Sequence, residues 1–253
     1  MPLKVLDLFS GIGGFSLGLE STGYFETVAF CEKDEFCKKV LQKHWSQLKI
    51  YDDVRSLHDT KIQADVVTGG FPCQAFSQAG LQKGRTDDRW LWNEMFDVIK
   101  QVKPRWVIGE NVQGIINIEE GMVLRQVQND LDSEGFKVQC FIIPASGIGA
   151  WHNRNRVWIL ACNISDTNSI RHRRGNSTRC ADEEWTFLPR EQEGGEMGSK
   201  TKRCCINKKK TWWQTESRIC RIPDGVSYGV DRDRAKRIKA LGNSIVPQIA
   251  RQI

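Results

Sequence analysis

Short apolar runs alternate with amphipathic segments along the first 163 residues of this 253-residue chain. The runs cover residues 3–9, 27–31, 48–51, 64–68 and 104–109, and the run at 64–68 is β-branched and followed by glycines. Such runs predict buried strands, and the spacing between them predicts helices. This alternation is typical of an α/β fold with a doubly wound, mostly parallel sheet. Two further runs, at 136–143 and 157–162, predict a final pair of strands.

The pattern breaks near Asn163. Residues 164–228 are rich in Arg, Lys, Gly, Ser and Cys and lack a clear period, which indicates a small inserted region. Helical spacing returns at 231–238, and after an interruption at 242–244 a last helix is predicted. We therefore expect one domain built from residues 1–163 plus 229–253, with the insert 164–228 between its two parts.

Charge is distributed unevenly between the two parts of the sequence. The first 164 residues hold 18 Lys and Arg against 20 Asp and Glu, whereas the remainder holds 19 against 11. A basic C-terminal third favours a polyanionic partner, nucleic acid first, with a solvated basic segment as the alternative. No apolar run reaches the ~18 residues of a membrane span, and no signal peptide is expected. Nine irregularly spaced cysteines favour a reducing cytoplasm over a disulfide framework.

A glycine turn follows the first predicted strand. Gly11, Gly13 and Gly14 precede a predicted helix, where backbone N–H groups can bind a ligand. The dinucleotide fingerprint requires a third glycine at the position that Ser16 occupies, which argues against a nicotinamide cofactor. The alternative is that the glycines only permit a tight strand-to-helix turn.

Two acids end neighbouring predicted strands. Glu32 closes the second strand about 20 residues after the glycine turn, where an acid binds ribose hydroxyls. Asp53 closes the third strand and can accept from an adenine amino group. Together they predict an adenosine ligand without a pyrophosphate, a description that S-adenosylmethionine fits.

Cys73 follows Pro72 just after the strand predicted at 64–68. Open α/β sheets bind ligands at this end of their strands. Most cysteines pack in the core rather than react, so a buried structural thiol is the alternative.

Five separated motifs resemble, in order, those of the DNA (cytosine-5) methyltransferases of prokaryotic or phage type. They are Asp7-Leu-Phe-Ser-Gly-Ile-Gly-Gly14, Gly70-Phe-Pro-Cys-Gln74, Glu110-Asn-Val112, Arg154-x-Arg156 and Gly242-Asn-Ser244. The resemblance covers 3–162 and about 229–253. It implies a Rossmann-like methyltransferase domain that uses S-adenosylmethionine, and it makes 164–228 the target recognition region.

The resemblance also implies catalytic roles. Cys73 would add to carbon 6 of cytosine, so that carbon 5 can attack a methyl sulfonium. Glu110 would bind ring nitrogen 3 and the exocyclic amine. Arg154 and Arg156 would hold the base and an adjacent phosphate. His152 stands where the family commonly has glutamine.

The remaining implied residues surround the cofactor. The full predicted cofactor set is Phe9, Gly11, Ile12, Gly13, Gly14, Glu32, Lys33, Asp53, Val54, Pro72, Trp92, Asn243 and Ser244. No metal is expected, because the four cysteines of the insert lack a C-x-x-C spacing.

The expected activity is methyl transfer to carbon 5 of a cytosine in a specific sequence of double-stranded DNA. A base inside a duplex cannot reach a buried thiolate, so the cytosine must flip out. We expect a monomer in the cytoplasm of a prokaryotic or phage-infected cell, with a companion restriction enzyme as a possible partner. An RNA cytosine-5 methyltransferase is one alternative, although the Cys-Phe-Thr tripeptide of the tRNA-modifying branch is missing. A catalytically inactive DNA-binding homologue is the other, although Cys73 and Glu110 are both intact.

Overall fold

The computed structural model describes residues 1–57, 60–72, 90–150, 152–163 and 233–253. Cys73, the loop 77–88 and the predicted insert 164–228 lie outside these residues. The strands are β1 (Leu3–Leu8), β2 (Phe25–Cys31), β3 (Lys49–Tyr51), β4 (Val66–Gly69), β5 (Trp106–Val112), β6 (Phe136–Pro144) and β7 (Asn155–Asn163). The α-helices are α1 (Gly14–Glu20), α2 (Glu35–His44), α3 (Trp92–Val102), α4 (Met122–Ser133), α5 (Arg234–Asn243) and α6 (Pro247–Gln252). Short 3₁₀ helices occupy Val54–Leu57, Gln113–Ile116, Ile118–Gly121 and Ala145–Ile148.

All seven described strands form one sheet in the order β3-β2-β1-β4-β5-β7-β6. The pairs from β3 to β5 are parallel, and β7 is antiparallel to both β5 and β6. The predicted doubly wound, mostly parallel sheet is therefore confirmed. The strand order reverses at β1, which pairs with β2 on one side and β4 on the other, and ligands of open α/β sheets bind at such a reversal.

Alternating side chains of the central strands fill two hydrophobic cores. Val5 packs with Phe15 and Leu19 of α1, while the adjacent Leu6 packs on the other face with Met95 and other residues of α3 and α4. Both faces of a parallel sheet must be covered, which explains why these strands are apolar at nearly every position. The helices thus hold the carboxyl edge of the sheet in a fixed position.

The C-terminal segment packs against α1 on one face of the sheet. A Cβ added to Gly14 would lie 2.5 Å from the carbonyl oxygen of Ile245. A Cβ added to Gly18 would overlap the carbonyl oxygen of Pro247 and lie 2.8 Å from the Cβ of Ala250. These two glycines permit a backbone approach between α1 and the start of α6 that a larger residue would prevent.

This close approach yields a stability prediction. We expect Gly18→Ala to lower the free energy of unfolding by about 1–3 kcal/mol, because the methyl group overlaps the α6 backbone. Helix propensity alone would make the alanine variant more stable by up to ~1 kcal/mol. A lower free energy of unfolding would therefore show that the methyl group overlaps the α6 backbone. Urea unfolding measures it. The control is Gly114→Ala, where the nearest atom lies 4.0 Å from the added Cβ; equal effects of the two changes would contradict the prediction.

Candidate active site

A cavity of about 850 Å³ lies at the carboxyl edge of the sheet. Strands β1, β2, β4 and β5 end at its wall, and α2 and α5 form the sides. Eight of the predicted site residues line it, namely Phe9, Gly11, Glu32, Pro72, Glu110, Arg154, Arg156 and Asn243. The sheet topology therefore brings together residues that are far apart in the sequence.

The three glycines of the turn lie in two different environments. Gly11 lines the cavity at φ +55°, and nothing lies within 4 Å of the position a Cβ would take. Gly13 and Gly14 face inward instead, because a Cβ on Gly13 would lie 2.7 Å from the Trp45 ring and Gly14 contacts Ile245. Gly11 is therefore the glycine of this turn that borders the cavity, and the other two permit close packing; the cofactor roles of all three stay predictions. Ile12 is half-buried and does not line the cavity.

Glu32 is held at the end of β2 by backbone donors. Its Oε2 accepts from the N–H of Gly11 at 2.6 Å, and its Oε1 accepts from the N–H of Asp34 at 2.7 Å. Asp34 in turn caps α2, since its Oδ1 accepts from the N–H groups of Phe36 and Cys37. The carboxylate is thus oriented on the cavity wall beside the glycine turn.

Three other predicted cofactor residues, Lys33, Asp53 and Val54, do not line the cavity. Asp53 accepts from the N–H of Arg55 at 2.9 Å and starts a 3₁₀ turn, and Val54 is buried in the core. Lys33 is exposed, and none of these three lines the cavity. Their cofactor roles stay predictions.

Trp92 is placed differently from the position that its predicted contact requires. Its side chain is buried, packs against Phe71 and Phe96, and donates from Nε1 to Asp130 at 2.7 Å. It does not line the cavity. Helical spacing alone cannot separate a core-facing position from a ligand-facing one at the start of α3, and the geometry favours a packing role.

Glu110 is the most deeply buried carboxylate on the cavity wall. It is 8% exposed, lies within β5, and its Oε1 is 3.1 Å from Nε of Arg156. Burial raises the pKa of Glu110 to about 7, although Arg156 and Arg154 oppose that rise. A carboxyl group of this kind can hold or release a proton near neutral pH.

The two arginines have different partners. Arg156 faces Glu110, whereas Arg154 donates from Nη1 to the carbonyl of Gly242 at 2.5 Å and from Nη2 to that of Ser244 at 2.8 Å. Burial and the neighbouring Arg156 lower the pKa of Arg154. Ser244 is half-buried and reaches the site through its backbone rather than by lining the cavity.

Asn111 has a structural role that the sequence interpretation did not assign. Its Nδ2 donates to the carbonyl of Phe71 at 2.9 Å, and its side chain is 3% exposed. The bond ties β5 to the residue before Pro72, and Pro72 lines the cavity two positions after the glycine Gly70. Cys73, the next residue along the chain, lies outside the described residues. The only signal in the sequence was the adjacency of an amide to Glu110.

Asp7 is a buried residue that joins β1 to β4 and α1 through hydrogen bonds. It is fully buried in β1, where Oδ1 accepts from Thr68 Oγ1 at 2.8 Å and Oδ2 accepts from Ser16 Oγ at 2.9 Å. The serine that departs from the dinucleotide fingerprint thus joins α1 to β1. Burial raises the pKa of Asp7 to about 7, although both hydroxyl donors oppose the rise.

A second, open groove of about 570 Å³ borders the cavity. Its lining consists of Gln113, His152, Asn153, Arg154, Asn155 and Arg156. Gln113 accepts from Asn155 Nδ2 at 3.0 Å, so the end of β5 and the start of β7 are joined here. The two arginines line both spaces, and the groove presents donors without a carboxylate among these residues.

The described residues contain no His, Cys, Asp or Glu cluster suited to a metal ion. No helix among them has the length and apolar character that crossing a membrane requires.

Comparison with known proteins agrees with this geometry. Residues 3–219 match the family model described as C-5 cytosine-specific DNA methylase. The Type II methyltransferase M2.BsuMI of Bacillus subtilis is 34% identical over 173 residues, which cover 66% of this chain and 44% of that protein. The Type II methyltransferase M.Bsp6I of a Bacillus species is 33% identical over 162 residues, or 62% of this chain and 51% of that protein.

Solved structures show the same fold. A protein described as a DNA modification methyltransferase encoded within an Escherichia coli prophage superimposes with a TM-score of 0.54 at 26% identity, over 65% of this chain and 48% of that one. The chain belongs to the C-5 cytosine-specific DNA methylase family. It spans about half the length of the curated relatives it matches.

The buried Asp7 predicts a pH-dependent stability. The folded state holds a proton on Asp7 up to about pH 7, whereas an unfolded aspartate releases it near 4. The contribution of Asp7 to stability is therefore largest below pH 4 and falls as the pH rises to 7, by on the order of 4 kcal/mol. We expect the stability of the wild type relative to Asp7→Asn to fall across this window.

Urea unfolding of both proteins at several pH values measures this difference, since the other titrating groups are common to both. A control, Asp132→Asn, changes an aspartate of α4 that the structure leaves exposed, and its difference from wild type should not follow pH in this way. A flat difference for Asp7→Asn would contradict the prediction.

The Asn111 bond predicts a local effect on the same edge. We expect Asn111→Ala to lower the free energy of unfolding by about 1–3 kcal/mol, because the Phe71 carbonyl is left without its donor. Asn129→Ala, an exposed change on α4, is the matched control. Thermal and urea unfolding measure both; an Asn111 variant as stable as the control would show that the bond contributes nothing.

Proposed function

We propose that this protein transfers a methyl group from S-adenosylmethionine to carbon 5 of a cytosine in double-stranded DNA. The observation that carries the proposal is the contact between buried Glu110 and half-buried Arg156, which share one cavity with Gly11 and Glu32. A proton-holding carboxyl and an adenosine-binding edge in one space are what cytosine methylation needs. The family to which the chain belongs supports the same reaction.

The cavity fits an adenosine cofactor. Its volume lies in the range of small-molecule sites. Open space adjoins Gly11, and the Glu32 carboxylate retains acceptor capacity for ribose hydroxyls beyond its two backbone bonds. Phe9 and Pro72 offer apolar surface, and Asn243 offers an amide on the opposite wall. The cofactor, when bound, supplies an electrophilic methyl group.

Cys73 is proposed as the nucleophile. Its thiolate forms a bond to carbon 6 of cytosine, and the electron pair of the 5,6 double bond becomes available at carbon 5. After carbon 5 has gained the methyl group, loss of its proton and breakage of the sulfur–carbon bond restore the aromatic ring and the thiolate. In support of this role, Asn111 anchors Phe71, and Pro72, the residue before Cys73, lines the cavity.

Glu110 handles the charge that this addition creates. Thiolate attack places negative charge on the ring, and a protonated carboxyl at nitrogen 3 neutralises it. The raised pKa keeps a substantial protonated fraction of Glu110 near neutral pH. Arg156 orients the carboxyl through its Nε and can face the carbonyl oxygen of the base.

The substrate assignment to duplex DNA rests on charge and on access. The excess of positive charge in the C-terminal third favours a polyanion, and the donor-lined groove beside Glu110 suits a phosphodiester. A paired cytosine must leave the stack to enter the cavity. We assign methylation to 1–163 plus 229–253 and target recognition to 164–228, in a monomer that acts in the cytoplasm of a prokaryotic or phage-infected cell, with a restriction enzyme as possible companion.

The experiment is a methylation assay with mixed genomic DNA and, in parallel, tRNA. Labelled methyl groups should enter DNA and not tRNA, and bisulfite sequencing should place them on cytosines within one short sequence. Label in tRNA alone would favour an RNA methyltransferase. Tight DNA binding without any label would indicate an inactive homologue, and either outcome would overturn the proposal.

Two substitutions test the assigned roles. We expect Cys73→Ala to abolish methyl transfer and the denaturation-resistant adduct with 5-fluorocytosine DNA, because both need the sulfur–carbon bond. Glu110→Gln should slow transfer by about 100-fold, because an amide cannot supply a proton. Both should bind DNA within about threefold of wild type.

Matched controls separate these effects from general damage. Cys140→Ala removes another free thiol outside the cavity, and Glu26→Gln neutralises an exposed carboxylate of β2. Both should methylate at nearly the wild-type rate. Methyl transfer that survives Cys73→Ala would disprove the covalent mechanism.

A further inference from the structure

We propose that Arg154 is a positioning residue for the cofactor side of the cavity, where it fixes the turn Gly242–Ser244, and does not hold the target base. The proposal rests on the proposed function only in naming S-adenosylmethionine as the ligand. The two arginines thus have different roles: Arg156 acts beside the target base, and Arg154 acts where the cofactor binds.

The geometry of Arg154 is that of a helix C-cap supplied from a distant strand. Its Nη1 and Nη2 donate to the carbonyls of Gly242 and Ser244, which are 88 and 90 residues away in the sequence. Helix α5 ends at Asn243, and the last carbonyls of a helix have no donor within the helix. A guanidinium satisfies them in a forked geometry and places positive charge at the negative end of the helix.

The turn that Arg154 holds forms part of the cavity wall. Gly242 and Asn243 line the cavity that Phe9 and Gly11 line from β1. Just beyond the turn, Ile245 lies against Gly14 and Pro247 lies against Gly18. The segment is therefore seated on α1 on one side of Ser244 and bonded to Arg154 at the turn itself.

The hydrogen bonds of Arg154 are directed at the turn, whereas Arg156 is directed at Glu110. One N–H on each terminal nitrogen is directed at the turn, and Nε is buried without a hydrogen-bond partner among the described residues. Arg156, by contrast, contacts Glu110 directly. The charged groups near Arg154 are Arg156, which carries the same charge, and Glu110, whose ion pair is formed with Arg156. A residue committed in this way acts by fixing the backbone.

The test measures cofactor binding without DNA and without catalysis. S-adenosylhomocysteine is titrated calorimetrically into wild type, Arg154→Ala, Arg154→Lys and Arg156→Ala. For Arg154→Ala we expect Kd to rise about tenfold or more, the effect of losing hydrogen bonds from a charged group. Arg154→Lys, which lacks the fork, should lie between it and wild type. Arg156→Ala should stay within about twofold of wild type but lose methyl transfer.

Hydrogen exchange gives a second readout that does not depend on the cofactor. The amide of Ser244, which donates to Leu241, should exchange faster in Arg154→Ala than in wild type or Arg156→Ala. Arg125→Ala, an exposed arginine of α4, is the control for loss of a cation and should change neither readout. Circular dichroism establishes that each variant is folded.

The outcomes are distinct. Normal cofactor binding and normal exchange in Arg154→Ala, with loss of methyl transfer, would overturn the inference. That result would indicate that Arg154 contacts the target base. If wild type binds no cofactor, the proposed function fails. Faster exchange at 241–246 in Arg154→Ala would still support the positioning role in that case, and unchanged exchange would overturn it.

Discussion

The pairing of β1 with both β2 and β4 is the constraint on which the site depends. Together with the parallel pairing of β4 and β5, it gives four neighbouring strands the same chain direction, so that their carboxyl ends meet at one edge. Gly11, Glu32, Pro72 and Glu110 then share a cavity although each belongs to a different strand and loop. The buried Asp7 reinforces this pairing, because it bonds Thr68 of β4 and Ser16 of α1 from the middle of β1.

The same arrangement explains the electrostatics. Glu110 lies on β5, an interior strand of the sheet that pairs with β4 and β7, and burial there raises its pKa. The antiparallel β7 places its first residues, rather than its last, at the active edge. Arg156 therefore reaches Glu110 from the start of its strand, and the ion pair limits how far the pKa rises.

Much of the fold followed from local pattern. Apolar runs located all seven strands of the described residues. The end of the second predicted strand also located Glu32, because the topology places that strand end at the cavity, whereas Glu110 was identified by its motif. Local sequence patterns predict a strand correctly because strand formation depends mainly on residues that are close together in the sequence.

Other features depended on partners far along the chain. The packing of Gly13 on Trp45, the amide of Asn111 on Phe71 and the bonds from Arg154 to α5 have no local signature. Trp92 shows the same limit, since its helical position is compatible with either a core or a cavity contact. The role of Cys73 and the boundaries of the insert rest on the motif order, because those residues lie outside the described ones.

The seam between α1 and the Ile245–Pro247 segment has a consequence for folding. It joins segments near opposite ends of the sequence, and contacts of such separation form late because the chain loses much conformational freedom to close them. The sheet can pair β1 with β2 and β4 before this closure occurs. We therefore expect one wall of the cavity to assemble after the sheet has paired.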